Sequence, residues 1–451
     1  MASRRRRELY EASTRDGQWS HFLGASHEET DGYGRPVTND TTRWRTTATI
    51  ATAAVALLAV ASPSASQAQN QADERFDRLD GPFAQFVVYP DQFGVDATRT
   101  DAAVESLVAS VDGDRTRATV EALAFPRTAF GPQSARDAAS ALVTDALTDA
   151  GYTPQTQTVD SPGVDWPNIY ADLPGTECAD VMVVVGAHFD SEDPIGAAAD
   201  DNATGVAAVV EMARVLRDHP LPVTVRFAGF SYEEIGLVGS EVMAKQLAAD
   251  GVEVAGALSQ EMLGYTEPET DPLTGLPATY LAMVADPTSE VLARVFAAAA
   301  YTYTPDFPAF GAVIDPAVLP DIYRSDHASF VRAGFPGLLA TDTANFRNPN
   351  YHEPSDTVDT IDWGFLQDST RATLAGAVTF ASLDNDADGV TDLCQGGVRS
   401  GVVAPTTTTS LATTSPVPAP PTSEGPVASG NPEVRPARPA TPSEGPVNFT
   451  G

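Results

Sequence analysis

The sequence predicts an α/β fold, a central mixed, mostly parallel β-sheet flanked by helices. Three observations carry that expectation. Short apolar runs alternate with stretches of helical spacing between residues 169 and 340, the order expected of βαβ units. The runs are continuously apolar, as in Val181-Met-Val-Val-Val-Gly186, the pattern of strands covered on both faces. And 451 residues, 42% hydrophobic and 20% charged, leave room for one large core or two ordinary ones and exclude a disordered chain.

Residues 1–69 read as an N-terminal extension with a signal peptide. The apolar, small-residue run 46–60 follows Arg43 and Arg45 and precedes Ser62, Ser64, Ala65, Ser66 and Ala68. That is the make-up of a signal-peptide core with cleavage after Ala65 or Ala68, short for a membrane span. An uncleaved anchor is the alternative. The 45 residues before it carry Arg4 to Arg7 but also seven acids, unlike an ordinary signal start, and a start near Val37 is the other reading.

The domain expected to carry the chemistry covers 70–383. Helices are expected at 101–111 and at 133–150, where Ala138, Ala141, Leu142 and Ala146 share a face and Gly151 ends the run. Strands are expected at 169–173, 181–186, 223–230, 257–262, 280–284 and 337–340, with helices at 205–216, 239–249 and 289–299. Residues 384–395 then place Asp384, Asp386, Asp388 and Asp392 around Gly389. Alternate carboxylates with a glycine turn suit a short Ca²⁺-binding repeat, and a solvated acidic linker is the competing reading. An EF-hand is disfavoured because Gln395 stands where its last Glu belongs. Residues 396–451 are rich in Thr, Pro and Ser and repeat Ser-Glu-Gly-Pro-Val, a composition expected to remain a disordered tail.

Charge narrows the partners. The chain has 61 acidic and 27 basic side chains, a net charge of −34, and Lys245 is its only lysine. Gripping nucleic acid needs clustered Lys and Arg, so that class is excluded. Nearly all the excess lies in 70–392, which holds 51 acids and 16 bases. An acidic body of this kind is soluble and attracts cations and positively charged substrate ends. No stable membrane insertion is expected once the signal is removed, and a monomer is expected. Cys178 and Cys394 lie too far apart in sequence for a Cys-x-x-Cys motif; one disulfide in an exported protein, or two free thiols, are the readings left open.

Chemistry concentrates at strand ends. The run Val181–Gly186 leads into Ala187-His188-Phe189-Asp190, which puts an imidazole at the carboxyl edge of the sheet, where open α/β folds bind ligands. Asp190, two residues on, is placed to accept the free ring N–H of His188. Asp200-Asp201-Asn202-Ala-Thr-Gly205 opens a helix, and taken alone its acids suit N-capping. Glu233-Glu234 follows an apolar strand and sits between Phe230 and Leu237; adjacent carboxylates in such surroundings call for a cation or a proton. Glu261 lies inside the apolar run Leu258-Ser-Gln-Glu-Met-Leu-Gly264. His352 lies in His352-Glu-Pro-Ser-Asp-Thr357, while His219 reads as ordinary surface and His327 falls in Ser325-Asp326-His327.

In their order along the chain, His-x-Asp, Asp-Asp-Asn-Ala-Thr-Gly, Glu-Glu-x-Gly-Leu-x-Gly-Ser, Ser-Asp-His and His-x-Pro-x-Asp-Thr resemble the secreted co-catalytic di-zinc aminopeptidases. Glutamate carboxypeptidases, glutaminyl cyclases and the transferrin-receptor ectodomain are relatives of that family. The resemblance covers about 115–380 and implies the zinc exopeptidase fold, two Zn²⁺ ions per chain and peptide N-termini as substrate. Carried onto this sequence, it gives His188 and Glu261 to one zinc and His352 and Glu234 to the other. Asp201 bridges them, and the Asp201–Asn202 peptide is expected to be cis. Glu233 becomes the general base acting on a water held between the metals, and Tyr323 a hydrogen-bond donor to the tetrahedral oxyanion. Glu261 departs from the family, many of whose members have Asp there. Two other activities remain as alternatives: a single-zinc glutaminyl cyclase, and a non-catalytic surface binding module. Tyr265, Phe307, Phe310 and Phe346 are candidates for a substrate pocket, although aromatic residues are more often core.

Overall fold

A computed structural model describes residues 82–94, 100–160, 165–271 and 274–396. Residues 1–69, where a signal peptide is expected, and the tail beyond residue 396 lie outside the described residues.

The central strands follow from the apolar runs. β1 (Gln155–Gln157), β2 (Asn168–Leu173), β3 (Cys178–His188), β4 (Val223–Phe230), β5 (Glu253–Glu261), β8 (Leu281–Ala285), β9 (Ala309–Val313) and β10 (Gly337–Thr341) make one eight-stranded sheet. Its order is β1-β2-β4-β3-β5-β10-β8-β9, and β6 (Glu267–Thr270) pairs with β7 (Pro277–Ala278) in a separate hairpin. The middle four strands, β4, β3, β5 and β10, are mutually parallel; β1, β2 and β8 pair antiparallel at the flanks. The expected mixed, mostly parallel sheet is therefore the one observed.

Both faces are covered, which is why the central strands are largely apolar. Along β3, Val181, Val183, Val185 and Ala187 join one core, while Met182 and Val184 join another on the opposite face. The first core takes in Val206, Val209, Val210, Ala213 and Leu216 of helix α4 (Gly205–Leu216), together with α1 (Ala102–Ala109), α2 (Gly113–Leu123), α3 (Gln133–Asp149), α6 (Glu290–Tyr303) and α8 (Trp363–Ala381). The second packs β3 and β4 against Met243, Ala244 and Leu247 of α5 (Val238–Ala249) and Phe330 of α7 (His327–Arg332). Aspartates start three helices: Asp101, Asp112 and Asp362 each accept backbone N–H groups of the first turn. Among the described residues, no helix is long and apolar enough to cross a membrane.

The sequence reading missed α2, α7, α8, β1, β9 and the β6–β7 hairpin. Helix α8 shows why. Its buried residues mix Phe365, Leu366, Leu374, Val378 and Phe380 with Ser369, Thr370, Thr373 and Gly376, and the small and hydroxyl residues blur the helical period. At Gly376 a Cβ would stand 2.2 Å from the Phe296 ring, so the two helices approach too closely for larger side chains.

Cys178 and Cys394 form a disulfide, with Cα atoms 5.6 Å apart. It pins the 384–396 loop to the start of β3, next to the core that includes Leu383 and Leu393. Within that loop Asp384, Asp386 and Asp392 present oxygens within 4.8 Å of one another. Asp388 departs from the expected set: its carboxylate accepts from the Gln395 side chain at 2.9 Å and from Val390 N.

Candidate metal centre

Parallel strands bring their carboxyl ends to one edge, and there the chain concentrates its ionisable groups. His188 is the last residue of β3 and Glu261 the last of β5; Glu233 and Glu234 follow β4 within a turn. Asp201 comes from the segment between β3 and α4, and His352 from the loop after β10, at a positive φ of 57°.

Asp201 lies between the two imidazoles. Its Oδ1 is 3.4 Å from His188 Nε2 and its Oδ2 is 3.2 Å from His352 Nε2. Glu261 Oε1 completes the His188 side at 3.4 Å, and Glu234 Oε2 the His352 side at 3.1 Å. The six sequence-predicted residues His188, Asp201, Glu233, Glu234, Glu261 and His352 are thus gathered in one place, with all but His352 buried or nearly so.

Each is held from behind. Asp190 stands 3.5 Å from His188 Nδ1 and accepts the backbone N–H groups of both Glu233 and Glu234, so one buried carboxylate orients three members of the cluster. Asp356 accepts from Asp200 N and Asp201 N at 2.9 and 3.0 Å. The Asp201–Asn202 peptide is cis. Asn202 accepts from Gly205 N and Met262 N and donates to Gln260 O, which ties the Asp201 segment to the end of β5 beside Glu261. Gly205 permits that approach, since a Cβ there would meet both Asn202 Oδ1 and Gln260 O at 2.3 Å. The remaining oxygen of Glu261 accepts from Ser325 Oγ at 2.6 Å, and Ser325 in turn contacts Ser259 at 2.8 Å.

The electrostatics are those of a site that seeks cations. Burial opposes charge on the imidazole of His188, yet Glu261 and Glu233, with Asp190 and Asp201, hold its pKa well above the ordinary value. At His352 burial is likewise overcome, by Asp201 and Glu234, and the pKa is pushed up to about 10. Burial raises Glu233 well above the usual carboxylate range, aided by Glu234 and Glu261, and raises Glu234 to about 8, aided by Asp201. Glu234 Oε1 is also buried without a hydrogen-bond partner. Two imidazole nitrogens facing carboxylate oxygens, one of those carboxylates shared, form a donor set suited to zinc.

Tyr323 is a correction. Its hydroxyl donates to Asp286 at 2.6 Å, away from the cluster, because the turn before α7 directs the ring toward β8. Tyr351, rather than Tyr323, stands at the cluster. Its ring stacks on His352 with centroids 3.7 Å apart, and its hydroxyl accepts from Arg324 Nη2 at 2.8 Å. Both Tyr351 and Arg324 line the cavity that opens on Asp201, Glu233, Glu234 and Glu261. The signal for Tyr351 was its place beside His352, and for Ser325 and Asp356 their places within the Ser-Asp-His and His-x-Pro-x-Asp motifs. Of the four aromatic pocket candidates, Phe346 lines this cavity; Phe307 and Phe310 are core, and Tyr265 bonds to Glu267.

Comparison with known proteins gives the same picture. Residues 168–377 match peptidase family M28. A probable leucine aminopeptidase of Trichophyton verrucosum is 30% identical over 46% of this chain and 55% of its own length. The uncharacterised protein YfbL of Escherichia coli is 26% identical over 49% of this chain and 73% of its own length. The leupeptin-inactivating enzyme 1 of Streptomyces exfoliatus is 33% identical over 42% and 39%. The chain thus spans a little over half of the Trichophyton relative and less of the Streptomyces one. Among solved structures, LapB of Legionella pneumophila superposes with a TM-score of 0.53 at 20% identity, covering 69% of this chain and 80% of its own. LapA aminopeptidase of the same organism gives 0.53 at 20%, covering 66% and 77%. These two likenesses establish the fold.

The hydroxyl of Ser325 is expected to hold Glu261 in its ligating position. Replacing it, Ser325→Ala, should weaken metal binding on the His188 side about tenfold while leaving the fold intact, as read by zinc titration. Unchanged affinity would show that Glu261 is held by other contacts.

Proposed function

From the match of residues 168–377 to peptidase family M28 we propose that the protein is a zinc-dependent exopeptidase, an aminopeptidase that releases N-terminal residues from peptides. The observation that carries this reading is the shared carboxylate of Asp201, which faces both imidazoles at hydrogen-bonding range with Glu261 and Glu234 on its two sides. His188, Asp201 and Glu261 would hold one zinc; His352, Asp201 and Glu234 the other. Bound there, the metals supply Lewis acidity that activates a water and polarises the scissile carbonyl.

The side chains of the protein do the rest. Glu233 has an oxygen within 4.8 Å of His188 and Glu261, and the ligand set proposed above leaves it free to act on a proton. Burial keeps its proton affinity high, which suits a group that takes a proton from the attacking water and delivers it to the departing amine. As the water oxygen bonds to the carbonyl carbon and the carbon–nitrogen bond breaks, Tyr351 is placed to donate to the oxygen that gains charge, since its hydroxyl accepts from Arg324 and keeps its own proton free. Asp190 keeps Glu233, Glu234 and His188 in register.

The substrate reading comes from the cavity wall. Beyond the acidic end, Ala282, Val284, Ile314, Leu319, Ile322 and Leu339 line it, an apolar surface suited to a leucine-like side chain. The acidic centre attracts the protonated α-amino group that distinguishes a peptide N-terminus. The relatives described as leucine aminopeptidases support this choice. Secretion is part of the proposal, supported by the Cys178–Cys394 disulfide, which persists in oxidising compartments. A calcium ion at Asp384, Asp386 and Asp392 is proposed as well, as a structural rather than catalytic cation.

Protein recovered from the culture medium should hydrolyse aminoacyl amides of leucine, methionine and phenylalanine at least tenfold faster in kcat/KM than those of aspartate or lysine. Chelation should abolish the activity. Glu233→Gln should lose about 10²–10⁴-fold in kcat with its zinc retained. Unchanged turnover in Glu233→Gln removes the mechanism; recovery of the protein from the cytosol alone removes the secreted location; and cyclisation of N-terminal glutamine with one zinc per chain reverses the choice of reaction. For the loop, millimolar calcium after chelation should raise the melting temperature by about 2 °C or more, and Asp386→Asn should abolish that rise. An identical melt with and without calcium would leave the loop as an acidic linker.

A further inference from the structure

Arg127 lies outside every motif used above and is completely buried. A buried guanidinium is costly, and such groups are ordinarily compensated by a carboxylate in direct contact. Here the acceptors are backbone carbonyls. Nε donates to Phe189 O at 2.8 Å; Nη1 to Leu123 O, Phe125 O and Ala197 O at 2.7, 3.1 and 3.1 Å; and Nη2 to Ala198 O at 2.9 Å. Its backbone is fixed too, with Arg127 N donating to Ser191 Oγ at 3.0 Å and Ser191 N donating to Arg127 O at 3.3 Å.

The positions of those carbonyls give the residue its role. Phe189 stands between His188 and Asp190. Ala197 and Ala198 lie just before Ala199-Asp200-Asp201. One planar fork therefore clasps both ends of the segment that joins the first histidine of the centre to its shared carboxylate. That segment, 189–198, contains no helix or strand that would hold its ends in place. Only arginine carries five donors in a rigid plane; lysine offers three from a point. The charge is not wasted either. Burial disfavours it, while the carboxylates of Asp356, Asp201, Asp190 and Glu234 favour it. A fixed cation behind so many acids offsets part of their mutual repulsion.

We propose that Arg127 is a positioning residue for the metal centre: by clasping the carbonyls of Phe189, Ala197 and Ala198 it sets the separation of His188 and Asp201 and thereby the affinity for both metals. The inference rests on the reading of the cluster as a two-zinc site, and its test is a binding measurement. Arg136 supplies the control. It too is a buried arginine, donating to Ala129 O and Gly131 O, but it touches no part of the 189–198 segment.

Zinc affinity and stoichiometry, with the thermal shift produced by zinc, are to be measured on wild type, Arg127→Lys, Ser191→Ala and Arg136→Lys. Wild type binding fewer than two zinc ions would break the functional reading itself. With two bound, Arg127→Lys should lose about tenfold or more in affinity at both sites, Ser191→Ala severalfold, and Arg136→Lys nothing beyond a lower melting temperature. The inference is overturned if Arg127→Lys binds zinc as wild type does, or if Arg136→Lys loosens zinc equally, because either result makes Arg127 a scaffold residue only. Should Arg127→Lys fail to fold, Ser191→Ala decides, and wild-type affinity in that variant overturns the inference.

Discussion

A single carboxylate facing two imidazoles is the constraint on which the rest of this site depends. Asp201 has two oxygens and each faces a different histidine, so it links His188 on β3 directly to His352 on the loop after β10. Four devices fix its position. Asp356 takes its backbone N–H, Asn202 joins its segment to the end of β5, Gly205 allows the close approach, and Arg127 clasps the strand-to-helix segment that leads to it. The parallel sheet matters because it delivers His188, Glu233, Glu234 and Glu261 to the same edge where this carboxylate waits.

The charge of the protein reads differently once the site is in view. Of 51 acids in residues 70–392, Asp190, Asp201, Glu233, Glu234 and Glu261 sit at the centre, and Asp200, Asp326, Asp342 and Asp356 are buried close behind it. Buried carboxylates that repel one another stay protonated or gather cations. Burial, with the neighbouring Asp200, pushes Asp356 up to about 7, and burial pushes Asp326 to about 7 and Asp342 to about 6. These carboxylates favour bound protons or cations, and Arg127 is a buried cation fixed behind them, with Arg347 beside Asp342. Glu211, Asp271 and Asp286 are buried elsewhere in the fold, and exposed acids such as Glu105, Asp114 and Glu121 favour solubility.

How much of this was legible in the sequence follows from where the information is local. The strands that build the sheet centre announced themselves because burial on both faces leaves them continuously apolar, and β4 was read to the residue. The members of the cluster were readable because each sits in a short motif, His188, Glu233, Glu234 and Glu261 at or just past strand ends and Asp201 and His352 in the segments beyond, in an order that resembles the family. Tyr323 was misassigned because a tyrosine near Ser-Asp-His looks well placed in sequence, while the turn it occupies sends its hydroxyl to Asp286. Tyr351 went unnoticed because ring stacking on a ligand histidine leaves no pattern of its own. Arg127 was invisible for a different reason: its partners are carbonyls, which every residue has. The pairing of Cys178 with Cys394 depended on a sequence separation of 216 that no local signal spans.

The proposed function turns on Asp201 serving two metals at once, so the zinc content of Asp201→Asn against wild type is the most direct test. The account predicts two zinc ions per chain in wild type and the loss of both from the variant, with the fold retained by circular dichroism. A variant that keeps one tightly bound zinc, or both, would show that the two histidines hold their metals independently, and would contradict it.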